Sequence, residues 1–250
     1  MNEFEIKEIT ENIDGGNTGQ LYKAKIEYEA KTINCLAKLV NAVYSKESIV
    51  AHNLMAEVNS ENLMKVYGNK ICDNKTYIFM EDLCDFYGLY PYLNCNETKI
   101  DCSLVVNIAN CLGRAIEVMH QNKIKHGDIH LGNMMFNPTD NTFKLIDFDM
   151  VKKDCDLKCD CKQYVQAIAH VLIFYMKKEE QQRPSLGSYQ KDFSNDLNEQ
   201  QKEIIRECQS NIEKVIDNSM VDFSLKMMRP IECIIKEFID TIDKNKSLYK

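Results

Sequence analysis

The segment KHGDIHLGNMMFN, residues 125–137, sets Asp128 two residues after His126 and Asn133 five residues after Asp128, with an apolar run following. A second acid, Asp147, arrives nineteen residues beyond Asp128, at the end of the next apolar stretch in FKLIDFDM. An aspartate held just after a glycine turn can take the proton of an incoming hydroxyl. An asparagine oxygen and a second carboxylate supply hard oxygen ligands for Mg²⁺. A base, an amide and an acid so spaced are what phosphoryl transfer from ATP asks for. The competing account of the same residues is a turn cap at Asp128 and an incidental loop amide at Asn133.

Such groups need a scaffold. FEIKEI and LYKAKIEY alternate apolar and polar residues, and NCLAKLV and KTYIFM are short β-branched and aromatic runs, so the first eighty residues read mainly as strands. One helix interrupts them, in SKESIVAHNLMAEV, where Val50, Ala51, Leu54, Met55 and Val58 recur at helical spacing. After MEDL the periodicity changes. Leu104, Ile108, Leu112, Ala115, Ile116 and Met119 share a helical face, and QYVQAIAHVLIFYM is apolar nearly all round, the mark of a helix buried within a lobe. EIIRECQSNIEKVI and PIECIIKEFIDTI are amphipathic, the latter with Pro230 suited to a first turn. The expectation is a single α+β domain: a small β-rich N-lobe with one helix over residues 1–80, a joint at 81–83 and a larger helical C-lobe over 84–250.

His-x-Asp-x4-Asn followed by Ile-Asp-Phe-Asp resembles the catalytic loop and metal-binding strand end of the protein kinase-like superfamily. The resemblance implies a bilobal kinase-like fold using ATP and Mg²⁺, with Asp128 as catalytic base, Asn133 as a metal ligand and Asp147 as the principal one. Further parts follow in the family order over residues 9–176. IDGGNTGQLYKAKI resembles the glycine-rich loop, and the backbone of Gly15, Gly16 and Gly19 would cradle phosphate; Asp14 stands at the first glycine position. Lys38, in CLAKLV, resembles the strand lysine that holds the α- and β-phosphates; alone it reads as a snorkelling edge-strand lysine. Its acidic partner should lie on the next helix. Glu47, three and four residues before Val50 and Ala51, is the choice over Glu57, near the helix end. MEDL resembles the adenine-reading hinge, with Glu81, Asp82 and Leu83 as its residues.

The departures from the family pattern narrow the reading. Gly127 replaces the arginine with which many protein kinases grip a phosphorylated activation loop. Asp149 replaces the glycine of Asp-Phe-Gly and adds an acid near the metal. His130 stands where Ser/Thr kinases place a lysine; it can touch the γ-phosphate or the acceptor, or pack on Asp128, and with Asp149 it is similar to aminoglycoside and choline phosphotransferases. About sixteen residues separate Asp147 from Tyr164, without an Ala-Pro-Glu signal, so the peptide-positioning segment is truncated, as in the minimal kinases that some bacteria deliver into host cells. Asp160 takes the place of the acid that braces the catalytic loop, with Asp154 and Asp156 as competitors. The implied activity is transfer to protein Ser/Thr hydroxyls. A small-molecule acceptor is the second reading, and a partner-binding pseudokinase the third.

Composition excludes other classes. A net charge of −7 argues against a general nucleic-acid binder. MNEFEIKEIT lacks the basic and apolar regions of a signal peptide, and no run of 18 apolar residues predicts a membrane span. Eleven scattered cysteines point to a reducing compartment, the cytoplasm of the producer or of a host cell entered as an effector. The dense group Cys155, Cys159 and Cys161 lacks a fourth local ligand for zinc.

Overall fold

A computed structural model describes residues 4–16, 19–40, 45–95, 97–178, 197–218 and 225–244. The N-lobe is a five-stranded antiparallel sheet built from β1 (Phe4–Gly16), β2 (Gly19–Tyr28), β3 (Lys31–Leu39), β4 (Val66–Cys72) and β5 (Lys75–Glu81), ordered β1-β2-β3-β5-β4. Helix α1 (Ser45–Ala56) follows β3. Alternation decides the two faces. Ala24, Ile26 and Tyr28 of β2 and Cys35 and Ala37 of β3 bury themselves with Phe4, Tyr67, Tyr77 and Phe79 in a cluster of their own. Leu36 and Lys38 therefore point to the other face, opposite Met80 and Ile78 of β5, where α1 and the C-lobe core meet the sheet.

Four of these strands were legible as alternating or β-branched runs, and β4 was not. Its VYGNKIC carries Gly68 at φ +132°, at an irregularity in the pairing with β5, and the Phe4 ring lies 3.2 Å from where a Cβ would stand. A glycine there breaks the strand signal and at the same time admits the aromatic ring.

The C-lobe is helical. The short α2 (Leu89–Asn94) precedes α3 (Cys102–Gln121), α4 (Lys158–Met176), α5 (Glu199–Asn218) and α6 (Leu225–Lys244). Asp101 caps α3, its carboxylate accepting from the Leu104 N–H at 3.0 Å. Helix α3 has the length and hydropathy of a membrane span, but 67% of that stretch is buried inside the lobe, where it serves as a core helix. Helix α4 is buried nearly all round, as its composition requires. Helix α6 begins at Leu225, so Pro230 lies inside it and not in its first turn. The apolar stripe explains the difference, because Met228, Ile231, Ile235, Ile239 and Ile242 form one buried row running straight across the proline. The stripes of α5 and α6 face α4, α3 and each other.

Five short strands complete the lobe: β6 (Tyr87–Gly88), β7 (Ile124–Lys125), β8 (Met134–Asn137), β9 (Thr142–Leu145) and β10 (Lys152–Lys153). The hairpin of β8 and β9 carries the candidate site, and it also ties the lobes together. Met64 N–H donates to the Leu145 carbonyl at 3.0 Å, and Leu145 N–H to that of Asn62 at 2.9 Å. Beside this seam Lys144 Nζ lies 2.8 Å from the Glu81 carboxylate, which also accepts from the Lys65 N–H.

Candidate active site

The loop from His126 to Asn133 is held from below by α4. Asp160, fully buried, accepts from the N–H groups of His126 and Gly127, both at 2.8 Å, while His120 Nε2 of α3 lies 3.1 Å from it. One turn on, Gln163 accepts from the Ile129 N–H at 3.0 Å and donates to the Gly127 carbonyl at 3.1 Å. Of the three acids that the sequence offers for this brace, Asp160 is the one in place. Gln163 was not anticipated; its i, i+3 relation to Asp160 was the available signal.

His126 links the loop to the strand that carries the second acid. Its Nε2 donates to the Ile146 carbonyl at 3.1 Å and its Nδ1 accepts from the Asp128 N–H, which fixes the neutral tautomer. Complete burial holds this imidazole below its ordinary pKa, against the pull of the Asp160 charge. Gly127 sits at φ +83°, and a Cβ there would stand 3.1 Å from the Met150 carbonyl. The position thus excludes arginine on backbone grounds, and a phosphate-gripping side chain has no place at this point.

Asp128 projects from the loop with its side chain 40% exposed. Asn133 donates its Nδ2 to the Asp128 carbonyl at 2.9 Å and to its carboxylate at 3.0 Å, which orients that carboxylate and turns the amide oxygen the other way. His130 Nδ1 accepts from the Gly132 N–H, so the neutral ring carries its proton on Nε2, 3.5 Å from the Asp128 carboxylate. His130 therefore packs beside Asp128, one of the placements its position allowed. Asp147 has a left-handed backbone, φ +64°, a region that Asp tolerates better than most residues, and its Oδ1 is buried without a hydrogen bond.

A buried carboxylate oxygen left unpaired is costly unless something charged completes it. Among the described residues no group of three or more His, Cys, Asp or Glu side chains gathers as a metal cluster. The donor set thus fits Mg²⁺, which takes one or two protein oxygens and fills its shell with water and phosphate, and not a caged transition metal. The cysteine group carries no such cluster either, and burial pushes the Cys161 thiol up to about 11.

Lys38 reaches the cleft face of β3, but not toward Glu47. Glu47 is exposed, and the inward face of α1 consists of Ser48, Ala51, His52 and Met55. Lys38 Nζ instead binds Asp149 Oδ2 at 2.7 Å, and Ser48 Oγ donates to Asp149 Oδ1 at 2.8 Å. Asp149, expected as a metal ligand, has both oxygens engaged by these groups. Burial would raise its carboxyl, but the bond and charge of Lys38, with Ser48, hold it below the ordinary range. His52 Nδ1 donates to the Ser48 carbonyl at 2.8 Å, and burial keeps its ring below the usual imidazole pKa.

The remaining expected residues flank this center. Gly16 pairs with Gly19 and Gly15 with Gln20 at the tip of the β1–β2 hairpin; Asn17 and Thr18 lie outside the described residues. Leu21, just past the tip, is opposite Lys38, so the glycine hairpin and the lysine belong to adjoining strands. At the joint, the Glu81 N–H donates to the Lys65 carbonyl at 2.8 Å and the Leu83 carbonyl accepts from the Phe86 N–H at 2.9 Å. Asp82 accepts from the Cys84 N–H. Glu81 thus serves the seam with its side chain as well as ending β5.

Two lobes, one with a glycine hairpin and a buried lysine on adjoining strands, the other with an oriented aspartate and an acid bearing an unpaired buried oxygen, make this a fold of the kinase class. The sequence profile of protein tyrosine and serine/threonine kinases matches residues 7–194, and the chain belongs to that family. It is a kinase, a phosphotransferase whose family name covers acceptors of both kinds. Among curated proteins no sequence matches.

Proposed function

We propose that the chain moves the γ-phosphoryl group of ATP to a serine or threonine hydroxyl of a protein. Asp128 takes the hydroxyl proton, Asn133 holds the aspartate in line, and Lys38 meets the α- and β-phosphates. Asp147 Oδ1 and the Asn133 amide oxygen would hold Mg²⁺, which when bound neutralises charge on the phosphates. The backbone of Gly15, Gly16 and Gly19 covers the phosphates, and residues 81–83 border the adenine.

One observation carries the choice of acceptor. A partly open pocket of about 140 Å³ adjoins Asp128, walled by Ile129, His130, Gln163, Gln166, Ala167 and His170. Of these lining residues Asp128 is the sole carboxylate. An aminoglycoside-like polycation would call for several, whereas a side-chain hydroxyl on a larger partner needs an open slot of amides and imidazoles. The eleven free thiols favour a reducing compartment, the cytoplasm of the producing cell or of a host cell.

Purified protein with [γ-³²P]ATP and Mg²⁺ is expected to label a protein band, in a lysate or on itself, at serine or threonine. Phosphatase pretreatment should leave the rate unchanged, because Gly127 provides no group to read an activation-loop phosphate. Saturable stimulation by an aminoglycoside, choline or a simple sugar, with no labelled protein, would transfer the assignment to the small-molecule class. Asp128→Ala should lower turnover by at least ~10²-fold, the lower range for losing a positioned base, with the melting temperature retained. A parent-like rate in that variant would remove Asp128 from the role of base.

A further inference from the structure

We propose that Asp149 is the carboxylate that positions Lys38 for the nucleotide, and that α1 contributes a hydroxyl, Ser48, in place of an acid. The proposal rests on the kinase reading for the role of Lys38. Lys38 and Asp149 are 111 residues apart and meet at 2.7 Å, with side chains only 11% and 22% exposed. An ion pair withdrawn from water to that extent defines a single geometry for the ammonium, unlike an exposed pair that samples many. Ser48 occupies the second carboxylate oxygen at 2.8 Å. Glu47, next to it in sequence, is directed to solvent.

What holds Asp149 there is its neighbour. Phe148 is fully buried, edge-on to His52 of α1 at 5.7–6.2 Å ring separations shared with His126 of the catalytic loop: 6.2 Å to the former and 5.7 Å to the latter. The left-handed turn at Asp147 then leaves residues 147 and 149 with different duties, the first toward the metal position and the second toward the lysine. The lysine's partner and the metal's carboxylate thus ride on one three-residue segment anchored by an aromatic ring. The seating of Phe148, and not the rotation of α1 bringing an acid inward, sets the lysine.

The test uses the full chain and an acyl-phosphate derivative of ATP, which acylates a lysine held against the phosphates; modification of Lys38 is read by peptide mass spectrometry. This readout needs no acceptor and no phosphoryl transfer, so a parent chain that is labelled at Lys38 but transfers nothing would sink the proposed function alone. Asp149→Asn is expected to reduce Lys38 acylation and kcat/KM for ATP by about tenfold or more, the scale of one hydrogen bond to a charged group, while the Mg²⁺ concentration for half-maximal rate stays within about twofold. Ser48→Ala, a milder change that leaves the ion pair, should move both in the same direction by a few-fold. Glu47→Gln should change neither. Parent-like acylation and kcat/KM in Asp149→Asn would overturn the proposal, as would a selective rise in Mg²⁺ requirement, which would make Asp149 a metal ligand. Loss of acylation in Glu47→Gln would return the role to α1.

Discussion

Asp147→Asn is expected to abolish measurable phosphoryl transfer while leaving the melting temperature near that of the parent. The side chain's Oδ1 is buried and makes no hydrogen bond, so an amide in its place breaks no bond that the fold makes with that oxygen. Asparagine is nearly isosteric and, like aspartate, accepts the left-handed backbone found at φ +64°. The phosphates lose more. A neutral amide cannot hold Mg²⁺ as a carboxylate does, and removing several kcal/mol of charge stabilisation from the transferring group lowers the rate by ~10³-fold or more. Initial rates at saturating ATP and Mg²⁺, set beside a thermal scan of the same preparation, decide it. Full turnover would show that the metal is held elsewhere. A collapsed melting temperature would show that the carboxylate supports the fold through a contact that the unpaired oxygen does not suggest.

The second large effect is on stability and reaches activity through the loop. Asp160→Ala deprives three donors of their acceptor: the buried N–H of His126, the part-buried N–H of Gly127 and the facing nitrogen of buried His120. Each unpaired buried group costs about 1–3 kcal/mol, so the loss should total at least ~3 kcal/mol. For a chain of this size that corresponds to a fall in melting temperature of roughly 6–12 °C. The loop would also lose its register, since Gln163 alone would then hold the peptide groups from Gly127 to Ile129. Asp160→Asn should fall between parent and Asp160→Ala, because its single oxygen can serve one backbone donor while its amide opposes the other. A melting temperature for Asp160→Ala within about 2 °C of the parent would mean that water or a shifted side chain replaces the carboxylate.

These two acids also mark where reading the sequence succeeds. Asp128, Asn133 and Asp147 stand at spacings that a loop, a hairpin strand and a strand end can satisfy in only a few ways, so residue type and order already implied their grouping. Lys38 was legible for a similar reason. Strand alternation puts it on the face of Leu36, opposite Ile78 and Met80, and no other lysine of the early strands shares a run so apolar. Asp160 was legible as one of three candidates. Choosing among them required knowing where α4 begins, because only a residue inside the helix's first turn lies under the loop.

The partner of Lys38 was beyond the sequence. The hydrophobic period of α1, taken from Val50, Ala51, Leu54, Met55 and Val58, centres the inward face too far toward Val50, which is 60% exposed. The true face includes Ser48 and His52, polar residues that a count of apolar side chains passes over and that are buried because Asp149 and the Ser48 carbonyl satisfy them. Strand β4 and the start of α6 were hidden in the same manner, one by Gly68 making room for Phe4 and the other by a packed stripe that outweighs a proline. Sequence alone singled out Lys38, Asp128, Asn133 and Asp147 as candidates, since residue type and local period survive without knowledge of the fold. The tertiary structure decided which of them touch. A contact spanning 111 residues depends on how a helix is rotated and where a buried ring sits, and neither is written in any local stretch of the chain.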